Sequence, residues 1–232
     1  MLGWPPTLAG VLLDFHLPAA STGPAVLLVH GGPVPAERWP APREWPVDRR
    51  YGALLAGRGA VAVTFDHPLH GPEDYPASAA VVRAAVDEVR EHPRVDGDRV
   101  ALWFFSGGAP LCTEWLRTPP PWLRCVALTY PRLGGPTLPS FFRPIDAVDD
   151  VGAAAAAGVA GAMRANGLPI VLTRRARERP ELAQYVSRFV TAAGDADANL
   201  TIVDDAGDEG QAVVAAAGAV LATLRPTGVA SA

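Results

Sequence analysis

The sequence predicts a three-layer α/β domain in which a mostly parallel sheet lies between two layers of helices. Short apolar runs alternate with longer helical patterns along the whole chain of 232 residues. Continuously apolar strands indicate a sheet that is buried on both faces, as in parallel sheets with helical crossovers. A chain of this length is also large enough to bury one substantial core. We therefore assign one domain to residues 1–225 and expect a disordered tail at residues 226–232.

Seven strands and six helices account for most of the pattern. The strands are apolar runs that are bounded by turn-forming residues, namely Val11–Leu17, Ala25–His30, Ala60–Asp66, Val100–Phe105, Arg124–Tyr130, Pro169–Thr173 and Leu200–Val203. The helices lie between them, at Arg49–Gly57, Ser78–Glu91, Gly107–Leu116, Val151–Ala165, Glu181–Ala193 and Gln211–Leu224. Because only 37 residues separate Tyr130 from Leu168, we expect no large cap domain.

Composition limits the partners and the location of the protein. The net charge of −4 at pH 7 gives no electrostatic basis for binding nucleic acid or an anionic membrane. No segment is apolar over the roughly 20 residues that a membrane helix needs. The first residues lack the basic region of a signal peptide, so we expect a cytoplasmic protein. Cys112 and Cys125 have no metal-ligand spacing and are expected to be buried free thiols.

Ser106 lies in a strand-turn-helix pattern, directly after the run Val100–Phe105 and before Gly107 and Gly108. A serine at such a turn is typical of a nucleophile, with small neighbours where the turn is tight. The usual Gly-x-Ser-x-Gly pattern has glycine two residues before the serine, where this chain has Phe104. The alternative is a serine that caps a helix N-terminus. Both interpretations stay open on this motif alone.

A second loop, His30-Gly31-Gly32-Pro33, directly follows a predicted strand. Glycines in such a turn let backbone N–H groups approach a developing negative charge, as in an oxyanion hole. Pro33 has no N–H, so the predicted donors are the amides of Gly32 and Gly107. The alternative is an ordinary turn that ends a strand.

A third loop, Asp66–Gly71, follows the next strand and is expected at the same sheet edge. Its histidines are His67 and His70. Together with His30 and Phe104, His67 is predicted to line a substrate pocket. The alternative is turn chemistry, in which a histidine only binds backbone groups.

Several segments match one known superfamily in order along most of the chain, namely His30–Pro33, Tyr51–Gly59, Asp66–Gly71, Val95–Trp103 with Ser106–Gly108, and Arg179–Leu182. They resemble the α/β-hydrolase superfamily, and within it the dienelactone hydrolase-like branch. The resemblance implies a three-layer α/β-hydrolase fold and a serine nucleophile. It also implies an acid after the strand Pro169–Thr173 and a histidine after the last strand.

The resemblance places Ser106 at the nucleophile, Glu178 at the acid and Glu209 where the histidine belongs. The chain has no histidine after His92. An imidazole with a pKa near ~6.5 can accept and return the serine proton at neutral pH, whereas a solvated carboxylate near ~4.3 is a poorer base. The base is therefore expected to be relocated to His70 or His67, or to be absent.

The acidic residues after the last predicted strand could also suggest a metal site, namely Asp204, Asp205, Asp208 and Glu209. Their spacing fits no calcium loop, so a solvated turn is favoured and no metal is expected. No motif implies a cofactor.

Three functions remain after these motifs. The favoured one is an enzyme that attacks an ester, lactone or thioester carbonyl through Ser106 and an oxyanion hole. The second is a non-hydrolytic lyase, isomerase or cyclase that uses the same pocket. The third is an inactive binding or partner module. The expected ligand is a small-molecule or carrier-linked substrate, and an exposed last strand could pair in a homodimer.

Overall fold

A seven-stranded sheet forms the centre of the molecule. The computed structural model describes residues 11–133, 166–175 and 178–226. The strands are β1 (Leu13–His16), β2 (Gly23–Val29), β3 (Val61–Phe65), β4 (Val95–Phe105), β5 (Leu123–Thr129), β6 (Ile170–Arg175) and β7 (Leu200–Asp205). Their order is β1-β3-β2-β4-β5-β6-β7, and only β1 runs antiparallel to its neighbour. The prediction of a mostly parallel sheet is confirmed.

Helices connect the parallel strands. They are α1 (Pro46–Ala56), α2 (Tyr75–Glu91), α3 (Thr113–Arg117), α4 (Pro180–Asp195) and α5 (Glu209–Thr223). Three 3₁₀ turns, at Pro42–Glu44, Pro72–Asp74 and Ser106–Cys112, precede α1, α2 and α3. The predicted helix Val151–Ala165 lies outside the described residues, as do residues 227–232 of the predicted tail. Within the described ranges, none of the helices is both long and apolar enough to cross a membrane.

The core divides into two layers because residues along β4 alternate between the two faces of the sheet. Leu102 and Phe104 belong to the cluster that includes α2 and β5, whereas Trp103 packs with Tyr51 of α1 and residues of α5. All of these strand side chains are buried. The sheet is thus covered on both faces, as the continuously apolar strands predict.

Two elements differ most from their predicted form, while the bounds of the other described elements differ by up to three residues. Strand β4 begins at Val95, five residues before the predicted start, because its polar beginning pairs with Gly23 and Pro24 of β2 ahead of a register shift. The predicted helix Gly107–Leu116 begins instead as a 3₁₀ turn and becomes α-helical only at Thr113. Pro110 inside the turn has no N–H to donate to a helical hydrogen bond.

Candidate active site

Ser106 lies where β4 ends at the carboxyl edge of the sheet. Its φ of 45° is in the left-handed region that non-glycine residues rarely adopt. Ser106 is exposed, while residues 107–112 behind it are buried. Phe105 is the residue that caps the following turn, without a side-chain cap bond. The structure therefore presents Ser106 on a strained turn and gives it no capping role.

The backbones of the two glycine loops touch beside Ser106. A Cβ atom added at Gly107 would lie 1.8 Å from the carbonyl oxygen of Gly32. One added at Gly31 would lie 3.0 Å from the Cβ of Ser106. One added at Gly108 would lie 2.4 Å from the carbonyl oxygen of His30. Only glycine permits this approach, which brings together Gly32 and Gly107, the two residues predicted to donate to an oxyanion.

His30 and His67 are stacked in the interior behind the glycine loop, with ring centroids 3.7 Å apart. The Nδ1–H of His30 donates to the carbonyl of Gly31 at 2.7 Å, and its Nε2 accepts the backbone N–H of His67 at 3.2 Å. The Nε2–H of His67 donates to the carbonyl of His30 at 3.1 Å. Burial lowers the pKa of His30 and lowers that of His67 well below its usual range. Both rings are neutral and hold the loop by backbone contacts.

His70 is exposed on the loop after β3, unlike His67. Its Nδ1–H donates to the carbonyl of Val34 at 2.8 Å, and its backbone N–H donates to Asp74 at 3.0 Å. This arrangement directs the free electron pair of the imidazole to Nε2, which has no hydrogen bond to any other described residue. His70 is thus a tethered imidazole with one available basic nitrogen.

Phe104, the departure from the usual serine motif, is fully buried in the core. Its side chain lies on the opposite face of the sheet from Trp103. The strand therefore accepts a large residue at this position because the side chain points into the α2 layer.

The two glutamates that the resemblance assigns follow the last two strands, Glu178 after β6 and Glu209 after β7. Glu178 accepts the backbone N–H of Arg179 at 3.0 Å and lines a cavity of about 230 Å³ with Tyr130 and Asp204. Glu209 is exposed as the first residue of α5, which Asp208 caps by accepting an N–H. Within the described residues, neither glutamate forms a hydrogen bond with Ser106 or with a histidine.

A buried acid that the sequence pattern did not reveal lies at the end of β7. Asp205 is 8% exposed and accepts the hydroxyl of Tyr130 at 3.0 Å and the N–H of Gly207 at 2.9 Å. Burial, together with the hydrogen bond to Asp205 and its charge, raises the pKa of Tyr130 to about 12. The ring of Tyr130 also lies 4.3 Å from the guanidinium of Arg175. In the sequence, the four acids between positions 204 and 209 together look like a solvated turn, so Asp205 could not be distinguished from the others.

Asp48, in the first turn of α1, is a second buried acid that sequence analysis missed. It is 4% exposed, and its Oδ2 has no hydrogen-bond partner. Burial raises the pKa of Asp48 to about 7, and the charge of Asp66 adds to the rise. One turn later, Tyr51 packs edge-on against Phe105, the neighbour of Ser106, with ring centroids 5.0 Å apart. Acids are favourable in the first turn of any helix, so the position of Asp48 in the sequence does not indicate that it is buried.

Metal ligation is one interpretation of the acidic residues after the last strand. In residues 11–133, 166–175 and 178–226, no group of three or more His, Cys, Asp or Glu is placed to hold a metal ion. Cys112 and Cys125 are free and buried, as predicted.

Comparison with protein-family models finds no match, and comparison with curated proteins finds none either. Solved structures do match. An esterase from Pseudomonas putida is 18% identical, with a TM-score of 0.63 over 94% of this chain and 85% of that chain. A thermostable carboxylesterase cloned from a metagenomic library is 21% identical, with a TM-score of 0.61 over 92% and 85%.

Esterase 2 of Thermogutta terrifontis, solved with propionate bound, is 19% identical, with a TM-score of 0.62 over 98% of this chain and all of that chain. In another structure, that esterase is phosphonylated by cyclosarin. At such identities the likeness shows the fold. The predicted three-layer α/β-hydrolase fold is confirmed, and the dienelactone hydrolase-like branch stays a prediction.

Proposed function

We propose that the protein is an ester-cleaving enzyme with Ser106 as its nucleophile and the amides of Gly32 and Gly107 as its oxyanion hole. The observation that carries this proposal is the exposed, left-handed Ser106 against which two glycine loops pack backbone to backbone. A strained turn of this kind costs roughly 1–3 kcal/mol and persists only where the surrounding structure imposes it. The esterase names of the similar structures agree with this assignment.

In this mechanism Ser106 Oγ attacks the carbonyl carbon of an ester, lactone or thioester. The Oγ proton passes to the base, and the carbonyl oxygen becomes an oxyanion facing the two amides. Collapse breaks the bond to the leaving group, which takes the proton and departs. Water then attacks the acyl-enzyme, returns a proton to Oγ and releases the acid.

His70 is the base that we propose for this proton transfer. It is the exposed histidine of the third loop, and the bond from Nδ1 to Val34 leaves Nε2 as the proton acceptor. His30 and His67 are engaged with backbone groups in the interior. The substrate that we expect is a small molecule or an acyl group on a carrier.

A fluorophosphonate probe, read as intact mass, tests the nucleophile. Wild type should gain one adduct, and Ser106→Ala should gain none, because the hydroxyl is the phosphonylated group. His70→Ala should slow labelling by about 100-fold if His70 removes the proton. Equal labelling of wild type and Ser106→Ala would contradict the proposal.

The second candidate is a non-hydrolytic enzyme, such as a lyase, isomerase or cyclase, that polarises a carbonyl in the same oxyanion hole. The observation that favours it is Glu209 at the position where the resemblance places a histidine, exposed and without an imidazole partner among the described residues. Folded wild type that remains unlabelled would favour this function, or a binding role, over ester cleavage.

A further inference from the structure

The carbonyl of Gly107 lacks the backbone donor that its turn would normally provide. In a 3₁₀ turn the carbonyl of residue i accepts the N–H of residue i+3. For Gly107 that residue is Pro110, which has no N–H. The hydroxyl of Tyr75 donates to this carbonyl at 2.7 Å in the interior of the protein. A side chain from α2 therefore takes the place of the missing backbone donor.

Tyr75 is itself held firmly. It is the first residue of α2, is 7% exposed and follows the turn Pro72–Asp74. The carboxylate of Asp74 anchors that turn by accepting the N–H groups of His70 at 3.0 Å and Gly71 at 2.7 Å. Burial raises the pKa of Tyr75, so the phenol stays protonated and can donate.

Gly107 has no side chain through which packing could orient it. Its backbone is confined on one side by Gly32, whose oxygen would lie 1.8 Å from an added Cβ. On the other side its carbonyl is held by Tyr75. A hydrogen bond at this carbonyl fixes the peptide plane that Gly107 shares with Gly108. The plane that carries the Gly107 N–H joins it at the Gly107 Cα, which packs against Gly32, so holding the carbonyl also limits how far that N–H can turn.

We propose that Tyr75 is a positioning residue that fixes the backbone of Gly107 and thereby aims its N–H at the oxyanion. The oxyanion part of this inference rests on the proposed function. The backbone part does not, because it concerns the order of the turn whatever reaction occurs there. Tyr75 and Pro110 line the same cavity of about 750 Å³, which lies between α2 and the turn.

The catalytic test is Tyr75→Phe, assayed with p-nitrophenyl acetate. Removing an oxyanion donor costs about 10²–10³ in kcat, and a donor that is only misdirected should cost about tenfold. KM should not change, because the interaction matters in the transition state. Tyr185→Phe in α4 is the matched control and should alter neither constant.

A rescue variant distinguishes a positioning role of Tyr75 from a role in overall stability alone. Pro110→Ala restores an N–H at the position that a 3₁₀ turn uses, so Tyr75→Phe/Pro110→Ala should recover most of the lost kcat. A purely structural tyrosine would show a lowered Tm and no recovery in the double variant, which would overturn the proposal.

Hydrogen–deuterium exchange of the segment 106–112 gives a readout that does not need activity. Exchange should be faster in Tyr75→Phe, unchanged in Tyr185→Phe and slowed again in the double variant. Wild type that neither turns over p-nitrophenyl acetate nor takes a fluorophosphonate adduct would refute the ester-cleaving function, and the exchange result would still decide the backbone role. Unchanged exchange in Tyr75→Phe would refute the inference.

Discussion

The two sides of the candidate site, one around Ser106 and one with acidic side chains, consist of different chemical groups. The nucleophile side comprises Ser106, the loop Gly31–Gly32 and the turn Gly107–Gly108. It consists of neutral backbone groups in close contact. The acidic side comprises five side chains from α1, the position after β5, the end of β7 and the start of α5, namely Asp48, Tyr51, Tyr130, Asp205 and Glu209. It consists of carboxyls and phenols, and burial raises the pKa of Tyr51, with the charges of Tyr130, Glu209 and Asp48 contributing.

This difference shows which residues of the site can be substituted without moving the backbone and which cannot. The nucleophile side cannot change without moving two loops, since any side chain at Gly107 meets the backbone of Gly32. On the acidic side, the exposed Glu209 can be replaced without displacing the chain. A base can therefore be lost or relocated while the nucleophile turn and the glycine loop keep their geometry.

The largest combined effect on stability and labelling should come from a substitution on the nucleophile side. Gly107→Ala places a Cβ where the backbone of Gly32 lies, so both loops must shift. We expect about 3 kcal/mol of lost stability and about a 100-fold loss in fluorophosphonate labelling. Chemical denaturation and labelling kinetics measure the two effects.

The matched control is Gly218→Ala in α5, where an added Cβ meets nothing within 4 Å. It should gain about 0.5–1 kcal/mol, because alanine favours a helix over glycine. Equal behaviour of the two variants would show that the contact between the loops is not tight.

On the acidic side, Asp48→Asn should change how stability depends on pH. The pKa of the unfolded carboxyl is the ordinary 3.8, whereas burial raises the pKa of the folded one to about 7. Stability of the wild type therefore falls as the pH rises from about 4 to 7 and is level above that range. The asparagine variant cannot ionise. At about 1.4 kcal/mol per pH unit between the two pKa values, it should be about 4 kcal/mol more stable than wild type at pH 8, with little difference at pH 4.

Thermal unfolding of both proteins across this range checks the prediction. A constant difference between them at every pH would mean that Asp48 is ionised in the folded protein and finds a compensating partner.

The smallest effect should come from Glu209→His, which gives the acidic side an imidazole. Glu209 is exposed at the start of α5, so the fold should tolerate the change. Because the new imidazole would assist the proposed base His70 from the position where the resemblance places a histidine, ester turnover should rise by about tenfold, equivalent to about 1.4 kcal/mol in activation free energy. Glu209→Gln controls for loss of the charge, and an equal gain in both variants would rule out base catalysis by the new imidazole.

The strands could be predicted because burial on both faces makes them continuously apolar. The predicted strand Ala60–Asp66 differs from β3 by one residue at each end. The start of β4 could not be predicted, because polar residues such as Asp96 and Arg99 look like a loop in the sequence. In the structure, Arg99 donates a hydrogen bond to Asp96 within the strand. The pattern of apolar residues predicts a helix where the structure has the 3₁₀ turn Ser106–Cys112, because that pattern takes no account of the missing N–H of Pro110.

For the site, sequence reasoning found the loops but not the buried polar contacts between them. Ser106, Gly32 and Gly107 lie in strand-end motifs, which the topology of a parallel sheet brings to one edge. The buried polar side chains have partners that are far along the chain. Asp205 is bonded to Tyr130, and Tyr75 is bonded to Gly107. Local patterns carry no information about such partners.

The two buried cysteines can report when each layer of the core opens to solvent. Cys112 ends the turn on the nucleophile side and belongs to the core layer under α2, whereas Cys125 of β5 belongs to the layer under α5. Burial raises the pKa of both thiols, so neither reacts with a thiol reagent until its layer opens. The time course of modification at each cysteine therefore records whether the two faces of the sheet separate together or one before the other.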